Sequence, residues 1–252
     1  VKAAFLADLT TGKAESPYIT KVEAVEILGT MLGGYNIAPL VECLKIDGLG
    51  NAAADALSTT LLIFDAFNEI FELSSTNEHA KRVVQSWADG LWFTQKPEVP
   101  DTIKLTVYKV SGEINTDDLS PATDAWSRPD IPLHALAMFK MPREGLDTPL
   151  ETIEELKKKG NPLAFVGDVV GTGSSRKSAT NSVLWHMGDD IPCIPNKKEG
   201  GFCFGSKIAP IFFNTMEDSG SFPIEFDVSV LEMGQEIILK PYEGKILDAS
   251  TN

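Results

Sequence analysis

The spacing of apolar residues along the chain changes character near residue 96. Before that point apolar residues recur every three or four positions, as in "TKVEAVEILGTMLGG", where Thr20 is a suitable helix cap and two glycines are a suitable stop. The same spacing predicts helices in "YNIAPLVECLK", in "NAAADALSTTLLIFDAFNEIFEL" with Asn51 as its cap, and in "TNEHAKRVVQSWADGLWF". Short helices joined by Gly or Asn turns are typical of the stacked helix pairs of an α-solenoid, although no sequence repeat is evident. We therefore predict an all-α domain over residues 1–96.

The second part of the chain has the pattern of a mixed α/β domain. The two prolines of "TQKPEVPD" interrupt the helical spacing and mark the domain boundary. Apolar and polar residues then alternate in "TIKLTVYKV", and "PLAFVGDVV" is a continuous apolar run typical of a buried strand. Helices are predicted at "PLHALAMF" and "TPLETIEELKKKG", strand material at "FPIEFDV", and a hairpin turning near Gly244 in "QEIILKPYEGKILDA". A further helix begins near residue 176 and carries its apolar face on Ala179, Val183, Leu184 and Met187.

Composition and charge narrow the classes of function. The 252 residues carry 36 acidic and 22 basic side chains, a net charge of −14, which repels polyanions and argues against general nucleic-acid binding. An anionic substrate would therefore need a local basic pocket. No run approaches the roughly 18 apolar residues of a membrane span, and the N-terminus lacks a signal-peptide pattern. Val1 is not a natural start, so we expect the sequence to begin inside a longer chain.

The cysteines and histidines give no sign of a metal site. Three cysteines stand far apart, which argues against a disulfide scaffold and for a reducing cytoplasm; we expect buried or half-buried thiols at Cys43, Cys193 and Cys203. The three histidines form no cluster, and structural roles are predicted for His79, His134 and His186.

The stretch "GDVVGTGSSRKSATNSV" carries the most specific chemical signal. A buried strand leads through glycines into a helix, and the backbone N–H groups at a helix start attract anions. Ser174 and Ser175 add hydroxyls, and Arg176 adds a planar guanidinium that matches a carboxylate at two points. Arginine is mildly unfavourable in a first helical turn, which makes best sense if an anion binds there. The alternative is a serine N-cap beside a solvent-facing arginine.

Known phosphate-binding and nucleophile motifs do not fit this stretch, but a second loop adds to the anion interpretation. The Walker, dinucleotide-binding and nucleophile-elbow patterns all fail at required glycines. "GEINTDDLSPATDAWSRPDIPLHALAM" places Asp117, Ser120 and Arg128 in a proline-rich loop that is otherwise explained as a solvated acidic loop. Both loops follow strand ends of the predicted α/β core, where ligand crevices form. Two arginines could neutralise a multiply charged small acid.

At this point three stretches closely resemble the bacterial aconitate hydratase B family: "GEINTDDLSPATDAWSRPDIPLHALAM", "GDVVGTGSSRKSATNSVLWHMGDDIP" and "FGSKIAPIFFNTMEDSG". More broadly, "GTGSSR" is similar to the G-x-G-S-S-R signature of the swivelling domain in aconitases and isopropylmalate isomerases. The likeness is strong over residues 100–252, and "ILGTMLGGYNIAPL" and "VVQSWADGLWF" are similar to that family's HEAT-like domain. It implies an N-terminally incomplete HEAT-like domain over residues 1–96, followed by an aconitase swivel domain over residues 97–252 with a mixed sheet or barrel and helices.

The resemblance implies a segment of a cytoplasmic tricarboxylic acid cycle enzyme. That family interconverts citrate and isocitrate through cis-aconitate, with a [4Fe-4S] cluster acting as Lewis acid. The cluster-binding cysteines have no counterpart in this sequence, so the segment is expected to bind no metal and to be inactive alone. Carried over by motif, Ser174 would be the catalytic base, and Ser175, Arg176 and Arg128 would bind substrate.

Two further positions match the family's motif less completely. Asp117 and Ser120 in "NTDDLS" match positions that line the site in the broader family. Asp118 departs from the histidine that is common in monomeric aconitases, so the resemblance assigns it no proton-transfer role.

Two other interpretations stay open on the sequence. The chain could be a non-catalytic module whose HEAT-like surface serves homodimerisation, docking of the remaining aconitase domains or other partners, or regulated mRNA contact. The net charge disfavours broad RNA affinity. It could also be the small subunit of an isopropylmalate isomerase-like dehydratase, but such subunits resemble a swivel domain alone.

Overall fold

The computed structural model describes residues 1–31, 34–60, 64–94, 98–192 and 194–250, with the backbone alone at residues 64, 65, 92 and 93. The chain forms two compact units, Val1–Glu98 and Val99–Asn252. The predicted boundary between residues 96 and 97 falls on positions outside the described residues. No helix in the described part of the chain has both the length and the apolar character needed to cross a bilayer.

The regular elements in the described residues of the first unit are all helices, joined by turns and loops. Its helices are α1 (Lys2–Thr11), α2 (Lys21–Gly29), α3 (Ile37–Cys43), α4 (Gly50–Ser58), α5 (Phe64–Leu73), α6 (Glu78–Ala88) and α7 (Leu91–Thr94). α2 begins at the predicted Thr20 cap. The Thr20 hydroxyl accepts from the Glu23 N–H at 3.2 Å, and the Glu23 carboxylate accepts from the Thr20 N–H at 2.7 Å. α2 ends at Gly29, before the predicted Gly-Gly stop, of which Gly33 lies outside the described residues.

The long helix predicted for residues 51–73 is wrong in two respects. The structure has two helices there, and α4 begins at Gly50 with Leu49 rather than Asn51 as its cap. At the end of α4 the Ser58 hydroxyl donates to the Ala54 carbonyl and the Thr60 hydroxyl to the Ala56 carbonyl, both at 2.6 Å. Such bonds let side chains compete with the helical ladder. The apolar periodicity alone does not report this competition.

The second unit is built on a six-stranded mixed sheet with the order β6-β5-β2-β1-β7-β8. Its strands are β1 (Ile103–Asn115), β2 (Leu163–Thr172), β5 (Phe202–Ile208), β6 (Phe222–Glu225), β7 (Glu236–Lys240) and β8 (Lys245–Asp248); β3 (Asp189–Ile191) and β4 (Ile194–Glu199) form a separate antiparallel pair. Its helices are α8 (Thr116–Leu119), α9 (Ile131–Ala135), α10 (Pro149–Lys157), α11 (Arg176–Met187) and α12 (Pro210–Asp218), with 3₁₀ turns at Ala122–Asp124, Val228–Val230 and Pro241–Glu243.

Strand β2 is buried on both faces, which explains its continuous apolar run. Leu163 and Phe165 pack into the core under the helices, while Ala164 and Val166 pack into a second core on the other face. The predicted face of α11 is buried at Ala179, Val183, Leu184 and Met187 in the first of these cores. The strands predicted at β1, β2 and β6, the helices α10 and α11, and the hairpin of β7 and β8 are therefore confirmed. The helix predicted for residues 132–139 ends at Ala135, as α9.

The sheet is curled, as shown by a groove that residues of both edge strands, β6 and β8, line. Phe222 and Ile224 of β6 and Ile246 and Leu247 of β8 face a space of about 640 Å³. The four strands β6, β5, β2 and β1 are adjacent and parallel to one another, so their carboxyl ends meet at one edge of the sheet; β7 pairs with β1 in the antiparallel direction.

Candidate active site

The two loops that carry the predicted site residues start side by side at the carboxyl edge of the sheet. Asn115, the last residue of β1, pairs with Thr172, the last residue of β2. α8 follows β1 at once, and α11 follows β2 after three residues, Gly173 to Ser175. Crevices at the carboxyl ends of parallel strands are the common ligand sites of open α/β sheets.

Two glycines allow the loop between β2 and α11 to pack directly against the end of β1, the start of α8 and the Phe212 ring. Gly173 has φ +103°, and a β-carbon there would stand 2.5 Å from the Thr116 hydroxyl oxygen and 2.7 Å from the Asn115 side-chain oxygen. Gly171 has φ +80°, and a β-carbon there would stand 2.2 Å from the Phe212 ring. Only glycine meets both requirements. The Ser175 N–H then donates to the Thr116 hydroxyl at 3.2 Å, which joins the two loops.

The start of α11 lacks the partners that helix starts usually have. Ser175 is its N-cap residue, but the Ser175 hydroxyl makes no capping hydrogen bond, and the first turn holds no acidic residue. Arg176 is half-buried, its Nη1 donates to the Gly173 carbonyl at 2.8 Å, and it forms no ion pair within the described residues. The structure therefore shows no serine side-chain cap at this helix start. The helix dipole and the guanidinium add up to an uncompensated positive region.

The two serine hydroxyls lie at this positive region and are not sealed in hydrocarbon. Ser174 is exposed and Ser175 is half-buried. Neither hydroxyl makes a hydrogen bond to another group in the described part of the chain, so both are available to a ligand. An oxyanion formed on either hydroxyl would be stabilised by the helix-start N–H groups and the nearby guanidinium.

Arg128 lies in the first loop and, unlike Arg176, has internal partners. Its Nε stands 3.3 Å from a carboxylate oxygen of Asp124, and its Nη1 donates to the Leu133 carbonyl at 3.2 Å. The Asp124 side chain is only 6% exposed and also accepts from the Lys140 ammonium at 3.0 and 3.2 Å. Above all Lys140, with help from Arg128, holds the pKa of Asp124 below its ordinary value. The guanidinium is therefore oriented by the protein.

A hydrogen-bonded pair of Ser120 and His134 stands beside Arg128. The buried Ser120 hydroxyl lies 2.8 Å from His134 Nε2, and His134 Nδ1 lies 3.2 Å from the Arg128 carbonyl oxygen. Sequence reasoning assigned His134 only a structural role and missed this contact. The sequence signal for this contact is the place of His134 in "RPDIPLHA", one helical turn after the cap residue Asp130. The Asp130 carboxylate accepts from the Leu133 N–H at 2.9 Å.

The two neighbouring aspartates of α8 differ in their surroundings. Asp117 is exposed, and its N–H donates to the Asn115 side-chain oxygen at 3.0 Å. The Asp118 carboxylate accepts from the Asn115 N–H at 2.8 Å and from Arg143 at 3.2 Å, so it caps α8 and forms an ion pair. Asp118 is thus occupied structurally, while the Asp117 carboxylate lies on the surface.

The structure brings some of the predicted residues into one cavity and leaves others beside it. A cavity of about 220 Å³ is lined by Ser120, Arg128 and His134 from the first loop and by Ser178, Asn181 and Ser182 of α11, among others. The remaining predicted residues are not among its lining residues; they are Asp117, Ser174, Ser175 and Arg176. Arg128 thus lines the cavity, whereas Arg176 lies at the start of α11, the helix that forms part of the cavity wall.

Comparison with known protein families covers nearly the whole chain. The family model described as "Aconitate hydratase 2 N-terminus" matches residues 105–252, and that described as "Aconitate B N-terminal domain" matches residues 1–93. The chain belongs to the aconitate hydratase B family.

Curated relatives support the same assignment. Aconitate hydratase B of Pseudomonas aeruginosa is 63% identical over 98% of this chain and 29% of its own length. The Escherichia coli protein is 59% identical over 100% of the chain and 30% of its own length, and the Helicobacter pylori protein is 52% identical over 98% and 29%. The chain therefore spans just under a third of the length of the aconitate hydratase B proteins that it matches.

A solved structure gives a weaker match to this chain. The 3-isopropylmalate dehydratase of Methanocaldococcus jannaschii is 18% identical, with a TM-score of 0.40, and the match covers 58% of this chain and 80% of that one.

The described residues of this family member do not form a metal site. Residues 1–31, 34–60, 64–94, 98–192 and 194–250 contain no group of three or more His, Cys, Asp or Glu side chains placed to hold a metal ion. Cys43 and Cys203 are free and buried, and Cys193 lies outside the described residues. Burial raises the pKa of the Cys43 thiol and raises that of Cys203 to about 12, so neither is a ready thiolate ligand. The residues present do not fit an iron–sulfur cluster.

Proposed function

We propose that the chain is the N-terminal helical and swivel segment of an aconitate hydratase that interconverts citrate and isocitrate through cis-aconitate. In this proposal the helical unit is a HEAT-like domain over residues 1–96, and the α/β unit is the swivel domain over residues 97–252. The family matches over residues 1–93 and 105–252 support an aconitate hydratase segment. The observation that carries it is Arg176, a guanidinium without an ion pair among the described residues, at a helix start without a side-chain cap.

Substrate carboxylates are bound by the two arginines. Arg176 and the N–H groups at the start of α11 receive one carboxylate, for which the guanidinium offers two parallel donors. Arg128, already oriented by Asp124, receives another from the adjoining cavity. Ser175 adds a hydroxyl donor, while Asp117 and Ser120 line the site. A tricarboxylate is the kind of ligand that needs two such positive points against the chain's net charge of −14.

Ser174 acts as the base in this proposal. Its hydroxyl is exposed at the helix start and makes no hydrogen bond to the described residues. A neutral serine hydroxyl is a weak base, so Ser174 acts as an alkoxide whose own proton has passed to solvent at this exposed position. The dipole of α11 and Arg176 supply the positive field that stabilises this alkoxide. Ser174 Oγ then takes the proton from the carbon beside a substrate carboxylate and returns it in the reverse reaction. These steps involve only side chains of this chain. The [4Fe-4S] cluster of the full-length enzyme takes its ligands from outside the described residues.

The proposal is tested by separating the chain from the rest of the enzyme. The purified chain should show no aconitase turnover, and adding the remaining domains with their cluster should restore it. Turnover by the chain alone, without further domains or cluster, would contradict the proposal. We place the enzyme in the cytoplasm, in keeping with the free thiols of Cys43 and Cys203.

A second role is proposed for the helical unit as a homodimerisation surface. Phe67 and Phe71 of α5 stack with ring centroids 6.0 Å apart although they are 43% and 57% exposed, and Phe67 also stacks on Trp87. Exposed aromatic pairs of this kind are enriched at protein interfaces. Sedimentation of the chain should show a dimer that Phe71→Glu dissociates; a monomer in both cases would contradict this role. The acidic net charge makes regulated mRNA contact the less favoured role of this unit.

A further inference from the structure

The His134 ring joins the two parts of the first loop that reach the proposed substrate site. One ring nitrogen, Nε2, lies 2.8 Å from the hydroxyl oxygen of Ser120, which is 2% exposed. The other, Nδ1, lies 3.2 Å from the Arg128 carbonyl oxygen. The ring is also part of the lining of the 220 Å³ cavity that Arg128 borders. Both nitrogens are thus engaged at the edge of the site.

The chemistry of these partners fixes the tautomer of His134. A carbonyl oxygen can only accept, so Nδ1 carries the hydrogen and donates it to Arg128. In the neutral ring Nε2 is then unprotonated and accepts from the Ser120 hydroxyl. The Ser120 hydroxyl is buried, and its hydrogen bond fixes the orientation of the His134 imidazole.

The backbone of α9, which carries His134, is hydrogen-bonded to α11. The buried His186 of α11 donates from Nε2 to the Ala135 carbonyl at 2.9 Å. The His134 N–H donates to the Asp130 carbonyl at 2.9 Å. α9 is therefore held to α11, the helix whose first turn carries Arg176. The imidazole of His134 extends this fixed frame to the backbone of Arg128.

The constraints on Arg128 leave one part of its guanidinium for a ligand. Its N–H donates to the Asp124 carbonyl at 2.9 Å, its carbonyl accepts from His134, and its Nε and Nη1 contact Asp124 and Leu133. Nη2 makes no hydrogen bond or ion pair within the part of the chain that the structure describes. A shift of the Arg128 backbone would move Nη2 by a similar distance. Such a shift would weaken a bidentate contact between the guanidinium and a carboxylate.

We propose that His134 is a positioning residue that sets the Arg128 guanidinium for a substrate carboxylate, by holding the Arg128 carbonyl against Ser120. This inference rests on the proposed function, because it takes Arg128 as a carboxylate-binding group. His134 itself touches no substrate in this account. Its loss should weaken ligand binding while the chemical step stays close to normal.

The test uses three substitutions of His134 in the full-length enzyme. His134→Asn keeps an amide N–H near the place of Nδ1, His134→Gln reaches the place of Nε2 instead, and His134→Leu keeps the size without a donor. The probe is propane-1,2,3-tricarboxylate, which has no hydroxyl to eliminate, with its Kd measured by calorimetry. KM and kcat for isocitrate are measured in parallel. Leu136→Ala, an exposed site just after α9, is the matched control, and thermal melting checks folding.

We expect the Leu and Gln variants to raise Kd and KM about tenfold with kcat changed less than about threefold, and the Asn variant to stay within about threefold of the parent in all three. Equal Kd values for the Asn and Leu variants would overturn the inference. So would a Leu variant that binds like the parent. If the Leu variant does not fold, the Asn and Gln variants are compared instead, and equal Kd values for these two would overturn the inference. An Arg128→Ala variant that binds the tricarboxylate normally would instead refute the proposed clamp.

Discussion

Arg128 and Arg176 lie in adjoining loops but in opposite electrostatic situations. Arg128 is paired with Asp124, a carboxylate that is almost fully buried and that also holds Lys140. Arg176 has no carboxylate partner among the described residues and donates only to the Gly173 carbonyl of its own loop. The first arginine is oriented by the protein. The second is held only by a backbone carbonyl of its own loop.

This difference teaches which loop depends more on a ligand. Removing the charge of Arg176 should cost more binding than removing that of Arg128, because Asp124 already neutralises part of the Arg128 charge. Conversely, the Arg128 loop should depend more on its internal hydrogen bonds.

The largest effect is expected from Ser174→Ala in the full-length enzyme. If Ser174 is the base, kcat should fall by about a thousandfold, while KM should change by less than about threefold. Steady-state kinetics with isocitrate measures both. Thr152→Ala is the control, because that hydroxyl lies on α10, away from the site residues, and donates to the Thr148 carbonyl at 2.8 Å. Small and equal losses in both variants would show that Ser174 is not the base.

The next effect concerns the glycine that lets the Arg176 loop lie close to α12. Gly171→Ala should lower the free energy of unfolding by about 3 kcal/mol, from the left-handed backbone and the overlap with Phe212 together. Gly145→Ala has a similar positive φ but no atom within 4 Å of the added carbon, so it reports the backbone cost alone, about 1–2 kcal/mol. Urea unfolding followed by circular dichroism compares the two. Equal losses would show that the loop has room to move.

Arg176→Lys sharpens the comparison of the two arginines directly. Lysine keeps the charge but not the two-point geometry, so kcat/KM should fall by about a hundredfold. Arg128→Lys should fall by about tenfold, since Asp124 can still orient an ammonium group there. Kinetics with citrate and isocitrate measures both. The reverse order of the two losses would overturn the contrast between the loops.

The smallest effect is a pH dependence that arises at the contact between α9 and α11. Burial, above all, lowers the pKa of His186, so the folded chain resists a proton that the unfolded chain binds. The free energy of unfolding should therefore stay level above about pH 6.5 and fall as the pH drops below it. Urea unfolding between pH 7.5 and 5.5 should show a weaker slope in His186→Gln. An unchanged slope would remove His186 as the cause.

The sequence predicted the α/β unit better than the ends of the first unit's helices. The apolar run of β2 and the face of α11 were readable because burial on both faces, or on one, imposes a period that the residues repeat. The break after Ser58 depends on hydroxyl bonds to the backbone, which leave no period. β5 was missed because Gly205 interrupts it and two glycines precede it, although its neighbours in the sheet make it a strand.

The candidate site was predictable in its residue types and less so in its contacts. Glycines, serines and arginine at a strand-to-helix junction identify the α11 start, because each has a separate physical reason to be there. The capture of Arg128 by Asp124, and of its carbonyl by His134, depends on how a proline-rich loop folds back. These contacts join residues only four and six positions apart, but the loop is not one continuous helix, so helical spacing does not specify them.

The most direct test of the central claim is a crystal structure of the full-length enzyme with bound isocitrate. The account predicts that Arg176 leaves the Gly173 carbonyl for a substrate carboxylate, that Arg128 binds a second carboxylate, and that Ser174 Oγ lies about 3–3.5 Å from the carbon that loses its proton. A bound substrate with Arg176 still on Gly173 and Ser174 distant from the reacting carbon would contradict it.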